Sequence, residues 1–403
     1  MSFQQGLSGL NAASKNLDVI GNNVANSSTV GFKGSEAQFG DVFANSLAGG
    51  GGGGVGIGTS VSSINQTFGQ GNLTVTSNPL DIAINGAGFF RMDTNGTVTY
   101  SRNGQFSLDK SGNIVNSSGQ KLTGYPPTAS GGVTTAAPAA LQVSTADLAP
   151  SASTSAKAKV NVDSRATALS SAAFDQNDPA TYHGATSVSV YDSLGNSHTL
   201  STYFVKTAAN SWDVFAASDG TLVSATPVGS MTFNSSGALT AGGPYALTIP
   251  VTTGATAIGV SLEMTGSTQF GSTFGVNSLE QDGYGSGKLT GFSVGQDGTI
   301  VGRYSNGQTR AQGQIALSNF TNPQGLQSFG SNQWGETANS GPALTGAPTT
   351  GNLGVLQSGA VEESNIDLTA ELVDMITAQR VYQANAQSIK TQDAVMQTLV
   401  NLR

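Results

Sequence analysis

The sequence predicts an α+β protein, mainly β, in which amphipathic helices at the two ends pair as a coiled-coil-like stalk carrying two nested β-barrel or sandwich domains. Three observations predict it. Both ends carry apolar stripes with a seven-residue repeat, the middle is punctuated by glycine and hairpin-type turns, and shifts in composition divide that middle into segments.

At the N-terminal end Phe3, Leu10, Leu17 and Val24 recur every seven residues, with Leu7, Ala13 and Ile20 filling the stripe. This reads as one helix over about 2–26, roughly 36 Å long at 1.5 Å per residue. It stops at the turn cluster Asn26-Ser27-Ser28-Thr29-Val30-Gly31. At the C-terminal end Leu368, Met375, Tyr382, Ile389 and Met396 repeat the pattern, flanked by Leu372 and Ile376. No Gly or Pro occurs from Ser364 onward, so one unbroken helix is expected, capped by Ser364 or Asn365. An isolated amphipathic helix exposes its apolar face, so each stripe needs a partner: the other end of the chain first, then neighbouring copies.

Between the ends, turn signals such as Asn103-Gly104, Asp109-Lys110-Ser111-Gly112-Asn113, Asp192-Ser193-Leu194-Gly195-Asn196 and Asn234-Ser235-Ser236-Gly237 separate runs rich in β-branched and aromatic residues. The glycine run 49–54 reads as a flexible link, and the Ala-, Thr-, Ser- and Pro-rich stretch 126–150 as a linker into a second β domain. The expected organisation is a helical inner-tube domain (1–48 with 360–403), a connecting segment (49–70), an inner β domain (71–145 with 285–359) and an outer β domain (146–284).

Sixteen basic against twenty-four acidic residues leave a net charge of −8, the wrong sign for a nucleic-acid partner. The chain lacks cysteine, which removes disulfides and thiolate chemistry. No apolar run is long enough to cross a bilayer, so no membrane insertion is expected, and the N-terminal region lacks the pattern of a cleaved signal peptide.

Candidate chemistry is thin. His198 with Ser197 and Asp192 offers a Ser-His-Asp reading, but triad members converge from separate elements, so a strand histidine beside a turn is the better account. The Asp-x-x-Gly segments lack the remaining ligands of a calcium loop, and turn chemistry explains them. Glycines at 49–58 lack the Lys of a phosphate loop. Glu362-Glu363 reads as solvated charge near a helix start. The chain is therefore expected to be no enzyme and to need no cofactor or metal.

The first stripe carries a resemblance. Leu17-Asp18-Val19-Ile20-Gly21-Asn22-Asn23-Val24-Ala25-Asn26 followed by Thr29-Val30-Gly31-Phe32-Lys33 resembles the signature of the flagellar rod and hook axial proteins, with Asn22, Asn23, Asn26, Gly31, Phe32 and Lys33 at its centre. It continues through Asp81-Ile82-Ala83-Ile84-Asn85-Gly86 and Tyr100-Ser101-Arg102-Asn103-Gly104, and returns at Ser358-Gly359-Ala360-Val361-Glu362-Glu363-Ser364. Rod members generally lack a second β domain, so the 146–284 segment places the resemblance nearer the hook branch.

The resemblance implies terminal helices lining a central channel, with β domains further out. It implies a structural subunit that polymerises into a curved hollow tube, a universal joint passing torque from rod to filament. Implied partners are further copies of itself, a hook-capping protein, a distal rod protein, a hook–filament junction protein and the flagellar type III export apparatus. The implied location is the extracellular hook, reached without a cleaved signal peptide. Alternatives are a distal rod subunit or a secreted adhesin or surface-layer subunit. Phe39-Gly40-Asp41-Val42-Phe43 is similar to the gate-recognition segment of early export substrates; an apolar i, i+4 pair on a short helix, here Phe39 and Phe43, would look the same.

Overall fold

The computed structural model describes residues 2–42, 56–128, 131–134, 136–252 and 254–401. They fall into two units: Met1–Ser144 with Gly291–Gly302 and Thr309–Arg403, and Thr145–Thr290 with Arg303–Gln308. The glycine run 49–54 and Phe43 lie outside the described residues.

In the first unit the chain runs out and returns along itself. Helix α1 (Ser2–Ala25) leads into the antiparallel ribbon of β1 (Ser35–Val42) and β2 (Gly58–Gln66). The return closes with helix α2 (Leu368–Asn401), which at 34 residues is about 51 Å long. Asp367 caps α2, its carboxylate accepting from the Thr369 and Ala370 N–H groups. The expected caps are used elsewhere: Ser364 accepts from Ile366 N–H, and Asn365 accepts from Gly34 N–H.

Between the helices, early strands pair with late ones. Strand Leu73–Val75 pairs with Ala360–Glu362, and Ile82–Asn85 with Val355–Ser358. The larger sheet runs through Thr309–Ile315, Lys121–Tyr125, Phe89–Thr94, Thr97–Ser101, Gln333–Gly335 and Gln327–Gly330. Such non-local pairing forms only when both halves of the chain are present. Phe89, Tyr100, Phe320 and Trp334 are buried together, with Phe68 packed against them edge-on.

The second unit is a β-sandwich. Among the described residues, one sheet has five strands centred on Ser155–Asp163, and the other has six, led by Gly184–Tyr191, Ser197–Ala208 and Ser211–Ser218. Alternate residues point inward, as strand geometry requires: Ala156, Ala158, Val160 and Val162 from one sheet meet Phe204, Trp212 and Val214 from the other. The Trp212 Nε1–H donates to Gln269 Oε1 at 2.9 Å, so the indole is buried without an orphaned donor.

One turn chemistry recurs across both units. The side-chain oxygens of Asp109, Asn116, Asp192 and Asn234 each accept from the backbone N–H groups two and four residues on. The fourth residue is a glycine with φ of +76 to +88° (Gly112, Gly119, Gly195, Gly237), a conformation other residues rarely adopt. The carboxylates that suggested calcium loops are thus occupied in holding hairpins.

Candidate functional site

Helices α1 and α2 pack antiparallel: Gly6 lies against Ile389, Gly9 against Asn385, and Asn23 bonds Glu371. The approach is close. A Cβ on Gly6 would stand 3.0 Å from Ile389 Cγ1, and one on Gly9 would stand 2.9 Å from the Asn385 amide. The seam on α1 therefore runs through small residues, with Ala12, Ala13 and Ile20 buried beside it.

The predicted stripe residues divide accordingly. Ile20 is buried, and Leu10, Leu17, Val24, Met375 and Ile389 are half-buried. Phe3, Leu7, Leu368, Leu372, Ile376, Tyr382 and Met396 are exposed, as are Val373 and Val381, which the heptad pattern did not single out. Among the described residues of α2, Ala378 alone is buried. A groove of about 750 Å³ opens beside the pair, lined in part by Ala12, Ala13, Phe39, Ala370, Ala378 and Val381.

A polar joint fastens the pair to the first β unit. Asn23, 3% exposed, donates to Ser35 O (2.8 Å) and Glu371 Oε1 (2.9 Å) and accepts from Ser35 N–H. Below it Glu362, 1% exposed, accepts from Lys33 Nζ at 2.7 Å, Arg102 Nη1 at 3.1 Å and Gly71 N–H at 2.9 Å. Lys33 also donates to Gly69 O, Arg102 to Gly86 O, and the guanidinium lies 5.3 Å from the Phe89 ring centroid. Burial pulls the pKa of both cations down, and the Glu362 charge opposes it. Glu362 was expected to be solvated; instead it is the buried hub of an ion triad drawn from three distant stretches of chain. Glu363 beside it is exposed and accepts from Thr74.

The remaining signature residues surround this joint. Gly31 has φ +70°, and a Cβ there would lie 2.6 Å from the Asn103 backbone nitrogen, so no other residue fits. Its N–H donates to Glu362 O. Asn26 donates back to Asn22 O at the end of α1, and Asn22, Asn26 and Phe32 line a polar hollow with Trp334.

Over its full length the chain is 45% identical to Flagellar hook protein FlgE of Salmonella typhimurium, the alignment covering all of both proteins. The chain belongs to the flagellar hook protein family. It is 44% identical to FlgE of Escherichia coli K12 and 34% identical to that of Brucella suis, again across all of this chain and 100% and 98% of those relatives. Family models place Flagella basal body rod protein at 3–33, Flagellar hook protein FlgE/F/G D1 domain at 83–171, Flagellar basal body protein FlaE D2 domain at 161–284 and Flagellar basal body rod FlgEFG protein C-terminal at 357–402. The fold is similar to the crystal structure of Helicobacter pylori flagellar hook protein FlgE2, with a TM-score of 0.52 at 14% identity, covering 72% of this chain and 99% of that one.

As a hook-family member the chain is a structural subunit of the extracellular flagellar hook, and the residues that suggested chemistry have structural partners. Both ring nitrogens of His198 face carboxylates, Asp219 at 2.7 Å and Asp192 at 3.5 Å, so neither serves as a base toward Ser197. His183 accepts at Nδ1 from Lys206 N–H, and burial lowers its pKa. Phe39 lies on β1 opposite Val61, so the short-helix reading fails; between Gln38 and Phe39 the register skips Ser62 of β2, and the Phe39 ring is 42% exposed. Sequence reasoning missed Asn23 as a link between helices and Glu362 as a hub, though the Gly31-Phe32-Lys33 signature marked one half of that joint.

Proposed function

We propose that the α1/α2 pair polymerises through the apolar residues it leaves uncovered, forming the inner tube of a curved hook that carries torsion from rod to filament. The observation that carries this reading is the pair's incomplete burial: Phe3, Leu7, Leu368, Leu372, Val373 and Ile376 are exposed on two helices whose mutual seam is made of small residues. Covering a Leu or Ile side chain contributes about 1.5–3 kcal/mol. Several per subunit outweigh an association cost of roughly 4–15 kcal/mol.

Leu10, Leu17, Met375, Tyr382 and Met396 complete the assembly surface, while Ile389 holds the seam against Gly6. The Lys33–Glu362–Arg102 triad passes load from the helices into the first β unit. The polar, weakly charged β surfaces slide or separate between neighbours, so the tube bends while it resists twist. The finer partners in this reading are a hook-capping protein, the distal rod protein, a hook–filament junction protein and the type III export apparatus, with Phe39 and Phe43 recognised while the chain is unfolded.

The test replaces Leu372 and Ile376 with Asp in cells whose sole hook subunit is the variant. The expected outcome is a secreted, folded monomer and basal bodies without hooks by electron microscopy. Hooks of normal length would overturn the reading.

A further inference from the structure

We propose that His198 is a doubly protonated clamp that ties two hairpin turns of the second unit together and releases them as the surrounding medium turns alkaline. His198 stands at the start of strand Ser197–Ala208 and is 8% exposed. Its Nδ1 lies 2.7 Å from Asp219 Oδ2 and its Nε2 lies 3.5 Å from Asp192 Oδ2. Ionised carboxylates only accept, and a neutral imidazole donates from one nitrogen while the other presents a lone pair. A neutral ring would therefore turn that lone pair toward an anion; the imidazolium donates to both.

Each carboxylate already organises its own turn. Asp192, fully buried, accepts from the N–H groups of Leu194 and Asn196 and from the Asn196 side chain. Asp219, with φ +49°, accepts from Thr199 N–H through its other oxygen. The ring thus joins the turn after Gly184–Tyr191 to the turn after Ser211–Ser218. The neighbouring strand presents Val190 opposite His198, so the charges acting on the ring are these two aspartates.

Asp219 is the larger of the influences that raise the His198 pKa, and burial opposes it without prevailing. A histidine raised in the folded state contributes stability that is complete below its ordinary value of 6.5 and is lost as pH rises through the folded value. Asp219 is lowered, first by the Thr199 N–H and then by His198, so its contribution is lost only as pH falls through that depressed value. The clamp closes between the two limits. Because the hook lies outside the cell, external pH acts on it directly.

The chain has two histidines, so His183→Gln leaves a single imidazole to follow by NMR in the full-length protein. The expected midpoint for His198 lies above 6.5, and Asp219→Asn lowers it. Exchange of the Thr199 amide, corrected for its intrinsic pH dependence, is expected to rise several-fold across the same midpoint, a step that His198→Gln abolishes. A midpoint at or below 6.5, one unmoved by Asp219→Asn, or exchange whose step survives in His198→Gln would overturn the proposal. Should Asp219→Asn fail to fold, the wild-type midpoint and the exchange step decide the matter.

Discussion

The second unit and the terminal helices solve opposite problems. In the sandwich, alternate residues of two sheets meet, and Phe204, Trp212, Val160 and Val260 are sealed from water. In the helix pair Gly6 and Gly9 bring the backbones close, and the large side chains Phe3, Leu7, Leu372 and Ile376 stay outside. A sheet sandwich closes on itself because each sheet has one inner face. A helix has a curved surface, and a single neighbour covers only one stripe of it. The first region is closed within one molecule, whereas the second leaves large apolar side chains uncovered, the surface proposed above for polymerisation.

Three substitutions sharpen that contrast. Trp212→Ala removes the largest side chain of the sandwich core together with its bond to Gln269, and is expected to cost about 3–5 kcal/mol. Denaturant melts followed by near-UV circular dichroism should show the second unit unfolding early while the helical signal persists. Loss of both signals together would mean the units are not independent.

Glu362→Gln keeps the shape of the hub but leaves Lys33 and Arg102 buried without their counter-charge. An expected loss of about 3 kcal/mol follows from stranding charge in the interior. Limited proteolysis should find the helix ends detached from the first β unit and the sandwich intact.

Glu371→Gln carries the smallest effect. Burial raises the Glu371 pKa, outweighing the Asn23 bond that lowers it. An acid with a raised folded pKa binds its proton more tightly when folded, so its contribution favours the native state as pH falls and declines as pH rises through that range. Glutamine still accepts from Asn23 and is always neutral. The variant should match or slightly exceed wild type at neutral pH, and should lack part of the wild-type gain on acidification, read as the shift in helix melting midpoint.

Much of the fold was legible beforehand. The seven-residue repeats marked both helices, and the Asp/Asn-x-x-Gly turns marked hairpins whose φ and hydrogen bonds follow local rules. The pairing face of α1 was not legible, because the large residues that define a heptad on paper compete with small ones that permit close approach. Glu362 looked solvated because its two cations are 329 and 260 residues away in sequence. Phe39 looked helical because its i, i+4 spacing to Phe43 fits one helix face, while the strand that pairs with it lies outside that short window of sequence.

By itself the sequence determined what local physics decides: helix at the ends, hairpins between, and a shortage of charge, cysteine and catalytic groups. Only the tertiary structure decided which stripe is spent inside the molecule, which charges meet in its interior, and which apolar residues are left uncovered. These depend on how closely distant segments approach, and sequence spacing holds no record of that distance.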